Sequence, residues 1–285
     1  MANGLAQHAR KCFNTILAKD STNKIANTYL GRVKVGNKWI LPSERDTEMR
    51  NENTGKQLWG ANFVSKETIE ELRKVEQEKL GWQFTHYFSN KDNFVMYAKC
   101  NDDNEAWSVS RLIENVLFWF DIEFGDVFGK TKNTFTINIF SSAEEMKDFA
   151  TEKSGTPVNS LSFFDSKSNT AYAVLGGSGE DARDAIVDAT VMGILGLYGY
   201  TGQGDGYWVY HAFRQYFVLA RCAEDRITIG YHKRVNPDPL ETSQRLVRNG
   251  LFLSIQSIAD SKQSSFDNDP NAELRSSAWI IFHVM

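Results

Sequence analysis

A change of hydrophobic period near Gly179 constrains this chain more than any other feature. Before it, short strand-like segments alternate with helical ones. After it, helical spacing dominates over 180–199, 206–223, 239–260 and 272–285. Strands gathered in the first part and helices in the second predict an α+β architecture, with a small β-sheet and helices in the first half and a helical second half. Phe94–Ala98 and Phe135–Phe140 read as strands. Asn104–Phe120 reads as a helix whose Val109, Leu112, Ile113, Val116, Leu117 and Phe120 recur at the spacing of a buried face. Ser142–Lys153 is a second helix, with serine at its start and glutamate in its first turn. Leu161–Phe164 and Thr170–Leu175 pair as a hairpin across Asp165–Asn169.

Residues 1–80 read as a helical and β-hairpin appendage, and 81–285 as the main domain. Residues 5–30 predict a helix pair or one broken helix, with Ala6, Ala9, Phe13, Ile16 and Leu17 on one stripe. Leu30–Glu44 alternates around Gly36-Asn37 as a small hairpin. The charged stretch 45–80 reads most simply as a solvated helix from Lys66 to Leu80, and composition changes at Gly81.

Composition narrows the partners. A charge sum of −4 leaves no basic excess to neutralise phosphates, so nucleic acid is not expected. The longest nearly apolar stretch, Val191–Tyr200, is too short for a membrane span and carries three glycines. The first residues hold no apolar signal core, so the expected compartment is intracellular by default, or the chain is already trimmed. It ends at Trp279–Met285 inside an apolar helical pattern, as expected of a fragment or of an abruptly ended gene product. Cys12, Cys100 and Cys222 lie far apart without a CxxC, which predicts reduced thiols.

Local motifs offer little chemistry. Gly176-Gly177-Ser178-Gly179-Glu180 lacks the last glycine of a nucleophile elbow, and the acids Glu180, Asp181 and Asp184 that follow would repel phosphate. It reads as a turn. Gly199–Gly206 reads as a loop, because no strand precedes it. No two of His8, His86, His211, His232 and His283 stand at metal-ligand spacing. Asp184 and Asp188 share a helix face, and with a histidine they make a conceivable hard-metal set. Asp181 and Asp184 are explained by a solvated helix start; Asp188, between Val187 and Ala189, is not.

Two segments together carry a resemblance. Val187-Asp188-Ala189-Thr190-Val191 lies on one helix, and Trp208-Val209-Tyr210-His211-Ala212-Phe213-Arg214-Gln215-Tyr216-Phe217 opens the next. The pair is similar to the H-E-A-T-H and W-L-x-E-G-L-A-x-Y-F helices of the peptidase MA-like gluzincins, which lie about as far apart as Val191 and His211 do here. Asn93-Phe94-Val95-Met96-Tyr97 with the long helix ending Asp126-Val127-Phe128, the Phe135–Phe140 strand and the 161–175 hairpin resemble that family's lead-in. Leu30-Gly31, Trp39 and Glu44 resemble a short module that often precedes it.

The resemblance implies a zincin-like fold over 85–285 and puts the two zinc histidines on Val187 and Val191, the general base on Asp188 and the third ligand on His211. Valine offers no donor, so two of the three ligands are lost. The expectation is therefore a pseudopeptidase without zinc, cofactor or catalytic residues, acting as a peptide- or protein-binding or structural module, with an assembly subunit a compatible role. The resemblance further implies that an edge strand aligns a peptide by strand addition, here Thr170, Ala171, Tyr172, Ala173 and Val174, beside Trp208. The alternative is a metal-dependent hydrolase rewired around Asp188 and His211, with Asp184. On the first reading, His211 is a neutral packing residue that hydrogen-bonds Asp188.

Overall fold

The structure, a computed structural model, describes residues 2–35, 37–90, 93–129, 133–155, 157–176, 179–200, 202, 206–223, 227–229 and 239–284. The chain opens with α1 (Ala2–Lys19) and α2 (Lys24–Tyr29), then the hairpin β1 (Val33–Val35) and β2 (Lys38–Ile40). The turn glycine of that hairpin, Gly36, lies outside the described residues. Next come α3 (Pro42–Glu52) and a second hairpin, β3 (Gln57–Trp59) and β4 (Asn62–Val64), neither of which was expected. α3 has no apolar stripe to reveal it. It starts at Pro42, and the Glu44 carboxylate accepts a hydrogen bond from the Leu41 N–H at 2.8 Å. The helix α4 (Lys66–Leu80) occupies its expected bounds. The Ser65 hydroxyl caps its start, and Gly81, with φ of 79°, ends it.

The body is built on a mixed five-stranded sheet. Its strands are β5 (His86–Asn90), β6 (Phe94–Ala98), β7 (Phe135–Phe140), β8 (Ser162–Asp165) and β9 (Thr170–Val174), in the order β5-β6-β7-β9-β8. The central strands β6, β7 and β9 run parallel, and both edge strands run antiparallel to their neighbours. Parallel neighbours need helical crossovers. α5 (Asp103–Phe128) links β6 to β7, and α6 (Ala143–Ser154) follows β7. Alternation along the strands splits the core in two. Phe94, Met96, Phe135, Ile137, Ile139, Ala171 and Ala173 face α5 and the later helices. Tyr97, Phe140, Tyr172 and Val174 face Met146 and Ala150 of α6, with Trp82 and Phe84.

α5 runs eight residues past Phe120, the end read from apolar periodicity, to Phe128, where the resemblance ends it. Asp121, Glu123 and Asp126 break the apolar run, but Phe124 and Phe128 continue its inner face against Phe213. The second half contains α7 (Gly179–Leu197) and α8 (Tyr207–Val218), then a hairpin of β10 (Ala220–Cys222) and β11 (Ile227–Ile229). It closes with α9 (Pro239–Arg248), α10 (Ile255–Ala259), α11 (Gln263–Asp267) and α12 (Glu273–Val284). This corrects two expected helices. The segment 206–223 leaves the helix after Val218 to form the hairpin, and 239–260 breaks where Gly250 takes a φ of 64° and Leu251 N–H bonds back to the Leu246 carbonyl. The result is a mixed α+β molecule with small sheets. No helix among the described residues is long and apolar enough to cross a membrane.

Candidate functional site

α7 lies across the inner face of the sheet, held close by two glycines. A Cβ at Gly193 would overlap the Phe135 ring of β7, and one at Gly196 the Phe164 ring of β8. This close approach fixes where the helix meets the sheet edge. α8 packs along α7 and α12 packs along α8. Val187 and Val191 are buried in the core, and His211 is buried on α8. No side chain at 187 or 191 carries a metal donor, so these positions do not suit a zinc ion.

Asp188 is the centre of the constellation. Its carboxylate accepts two hydrogen bonds from Arg214, from Nε to Oδ1 and from the terminal nitrogen to Oδ2, both at 2.7 Å. The Ser162 hydroxyl donates to Oδ2 at 2.5 Å. One carboxylate thus ties α7, α8 and the edge strand β8 together. Burial by itself would raise this carboxyl, but the paired guanidinium and the serine hold it below its usual range. Arg214 is held firmly charged in return, and it sits 5.4 Å from the Tyr210 ring centroid.

The expected hydrogen bond between His211 and Asp188 does not form, because Arg214 and Ser162 take the carboxylate instead. Burial, and behind it the Arg214 charge, pushes the His211 imidazole down to about 3, against a smaller opposing pull from Asp188. The ring is therefore neutral at ordinary pH. Its Nε2 is buried without a hydrogen-bond partner among the described residues. Its ring neighbours are Tyr207, centroids 6.2 Å apart, and Phe266 at 5.2 Å. Asp184 pairs with Arg183 at 2.7 Å. Among the described residues no group of three His, Cys, Asp or Glu side chains is gathered to hold a metal. Ser178, His232 and residues 203–205 of the second glycine cluster lie outside the described residues.

The strand expected to align a peptide needs correction. Thr170, Ala171, Tyr172, Ala173 and Val174 form β9, which is buried along its length between β7 and β8. Both sides of its backbone are paired, so it cannot add a further strand. The sheet edge beside α7 is β8. Val174 N–H donates to the Leu161 carbonyl, so positions 161, 163 and 165 pair inward. Ser162 and Phe164 then turn their backbone groups to the open side. The Ser160 hydroxyl already takes the Ser162 carbonyl. Trp208 is half-buried against the main core. The Thr170–Leu175 pattern could not distinguish an interior strand from an edge, since both read as a continuous apolar run.

Two residues that sequence reasoning missed complete the constellation, Ser162 and Arg214. Arg214 was present in the quoted helix, three residues after His211 and on the same face, and that spacing was the available signal. Two cavities lie elsewhere. One of about 600 Å³ runs along α5 beside Arg111, Leu117, Phe118 and Tyr198, and another of about 500 Å³ lies between α3 and α5. In comparisons with known proteins, no family model, no curated protein and no solved structure matches the chain.

Proposed function

We propose that this chain is a zincin-like, gluzincin-type domain that has lost its catalysis and serves as a peptide- or protein-binding module. The observation that carries this reading is the fate of the position where such a domain keeps its general base. Asp188 is closed off by Arg214 and Ser162, between buried valines at 187 and 191. A carboxylate held by a bidentate guanidinium and kept well ionised is a poor proton carrier for hydrolysis. The binding role is supported by the antiparallel edge strand β8 lying against α7, where an extended segment would meet the backbone of Phe164. The rewired hydrolase gains nothing from this geometry, because Asp184 and Asp188 each have an arginine partner and His211 bonds neither.

The test is metal analysis of the protein purified without added metal, alongside the variant Val187→His/Val191→His/His211→Glu. The parent is expected to hold no stoichiometric zinc, and the triple variant to take up about one ion per chain. Zinc bound by the parent through Asp184, Asp188 or His211 would overturn the reading in favour of a rewired enzyme.

A further inference from the structure

Residues 251–268 form a strap over the α8 face that carries His211. The strap contains the two five-residue helices α10 and α11, which rest on α8 and α12. Most of its residues are exposed, Leu251 and Ile255 among them. It is pinned by two buried side chains, Ile258 at 1% and Phe266 at 2% exposure, with Leu253 half-buried. Beyond the Leu251 N–H bond to the Leu246 carbonyl where it begins, the hydrogen bonds described along the strap close within it. Ser254 meets Ser257, Gln256 donates to Asp260, the Ser261 hydroxyl donates to the Ser257 carbonyl, and the Asn268 carboxamide donates to the Ser264 carbonyl.

Phe266 is the inner anchor. Its ring lies 5.2 Å from Tyr207 and 5.2 Å from His211, centroid to centroid. That contact is incomplete chemically. The His211 Nε2 is buried with no hydrogen-bond partner among the described residues, and a phenylalanine ring can offer none. A phenol hydroxyl brought to that nitrogen would satisfy it in either tautomer, because a tyrosine hydroxyl both donates and accepts.

We infer that the strap is an internal occupant of the α8 face around His211 and that Phe266 fills a side-chain pocket built for a partner peptide's tyrosine. The inference rests on the binding role proposed above and specifies its ligand. The partner's tyrosine ring displaces Phe266, packs on Tyr207, and closes the hydrogen bond that His211 leaves open. No covalent step is involved. The strap sets the threshold, since a partner must outcompete a side chain present at high effective concentration.

The experiment removes the competitor. Phe266→Ala, checked for folding by circular dichroism, is titrated with N-acetyltyrosinamide and N-acetylphenylalaninamide. The expected result is tyrosinamide binding at least about tenfold tighter than to the parent chain, and about fivefold or more tighter than phenylalaninamide. The tyrosine preference should vanish in Phe266→Ala/His211→Leu, which keeps the pocket apolar and removes the nitrogen. Equal binding of the two amides, or no binding by a folded variant, would overturn the inference. If Phe266→Ala does not fold, hydrogen exchange of the parent decides. Amides of 255–267 should exchange at least about a hundredfold faster than those of α8 and α12, and equal protection would make the strap part of the core and end the proposal. Failure of the broader reading looks different, because zinc on the parent chain would refute the pseudopeptidase without altering the tyrosine preference.

Discussion

Two arginine–carboxylate assemblies join separate parts of this chain, and they are built differently. Asp188 meets Arg214 and Ser162 where α7, α8 and β8 converge, and each carboxylate oxygen is bonded in good geometry. Asp46 of α3 meets Arg45 and Arg111, and Arg111 also bonds Glu114 on α5. The first assembly sits at the margin of the core, with 12% of the Asp188 side chain and 22% of the Arg214 side chain exposed. The second is no more exposed, at 7% for the Asp46 side chain and 16% for Arg111, but it borders two cavities, with Glu114 pushed above its usual range by burial, against the pull of Arg111. The contrast shows what each does. The Asp188 unit fixes how three elements meet, and the Asp46 unit attaches a peripheral segment beside cavities that water can enter.

The largest effect should come from breaking the Asp188 unit. Asp188→Ala leaves Arg214, with 22% of its side chain exposed, unpaired, and should cost about 3 kcal/mol in chemical denaturation. The double variant Asp188→Leu/Arg214→Met removes both charges and should recover most of that loss. A cost below about 1 kcal/mol for Asp188→Ala would show that the pair is solvated and that the contrast fails.

The imidazole beside this unit gives a pH signature. His211 ionises near 6.5 when unfolded and is pushed down to about 3 in the fold. Between those values the unfolded chain binds the extra proton. Its contribution is thus complete above the unfolded value and is lost as pH falls toward 3. The expected slope is up to about 1.4 kcal/mol per pH unit below 6.5, read from denaturation at stepped pH. His211→Leu should flatten that window. Asp188, also lowered in the fold, acts in the same direction but only as pH falls below its unfolded value of 3.8, so the two windows separate. An unchanged slope in His211→Leu would mean the ring is not the buried neutral group described.

A third variant probes how α7 is seated. Gly193→Ala places a methyl into the Phe135 ring and should cost about 1–3 kcal/mol through overpacking, more than the gain from helix propensity returns. A stabilised Gly193→Ala would mean that α7 stands off the sheet.

How far the sequence revealed this molecule depended on which forces left a periodic trace. β6, β7, α4, α6 and the β8–β9 hairpin were legible, because each is bounded by a cap or turn and buries one regular face. α3 was hidden because it is polar all round and held by capping and by Asp46. The hairpin of β10 and β11 was hidden behind an apolar run that continues past Val218 in the same composition. At the site, the meeting of α7 and α8 was expected from the resemblance of the 187–191 and 208–217 segments to a pair of packed helices. The partner of Asp188 was not, because the choice between His211 and Arg214 is made by three-dimensional geometry and by the low cost of burying a neutral imidazole relative to an unpaired carboxylate. Edge and interior strands likewise differ in neighbours and not in pattern, which is why β9 was taken for β8.

The smallest effect is expected at the Asp46 assembly, where salt provides the sharpest discrimination. Asp46→Asn removes the charge that Arg45 and Arg111 share and keeps the side chain's size. Arg111 retains Glu114, and the adjoining cavity lets water reach the vacated guanidinium face. The cost should therefore stay near 1–2 kcal/mol, between the exposed and buried limits. Arg50, which stacks on Trp107 at 4.3 Å and bonds Asn104, keeps α3 attached in the variant. Raising the salt from 0.1 M to 1 M shortens the screening length from about 10 Å to about 3 Å. The Asp46→Asn penalty should shrink by half or more over that range, as water-accessible charges are screened. The Asp188→Ala penalty should shrink less, because no cavity adjoins that pair among those described and its two-point hydrogen bonding is short-ranged. Equal salt sensitivity at the two sites would erase the distinction between them, and Asp188 would then have to be treated as a solvated carboxylate open to chemistry.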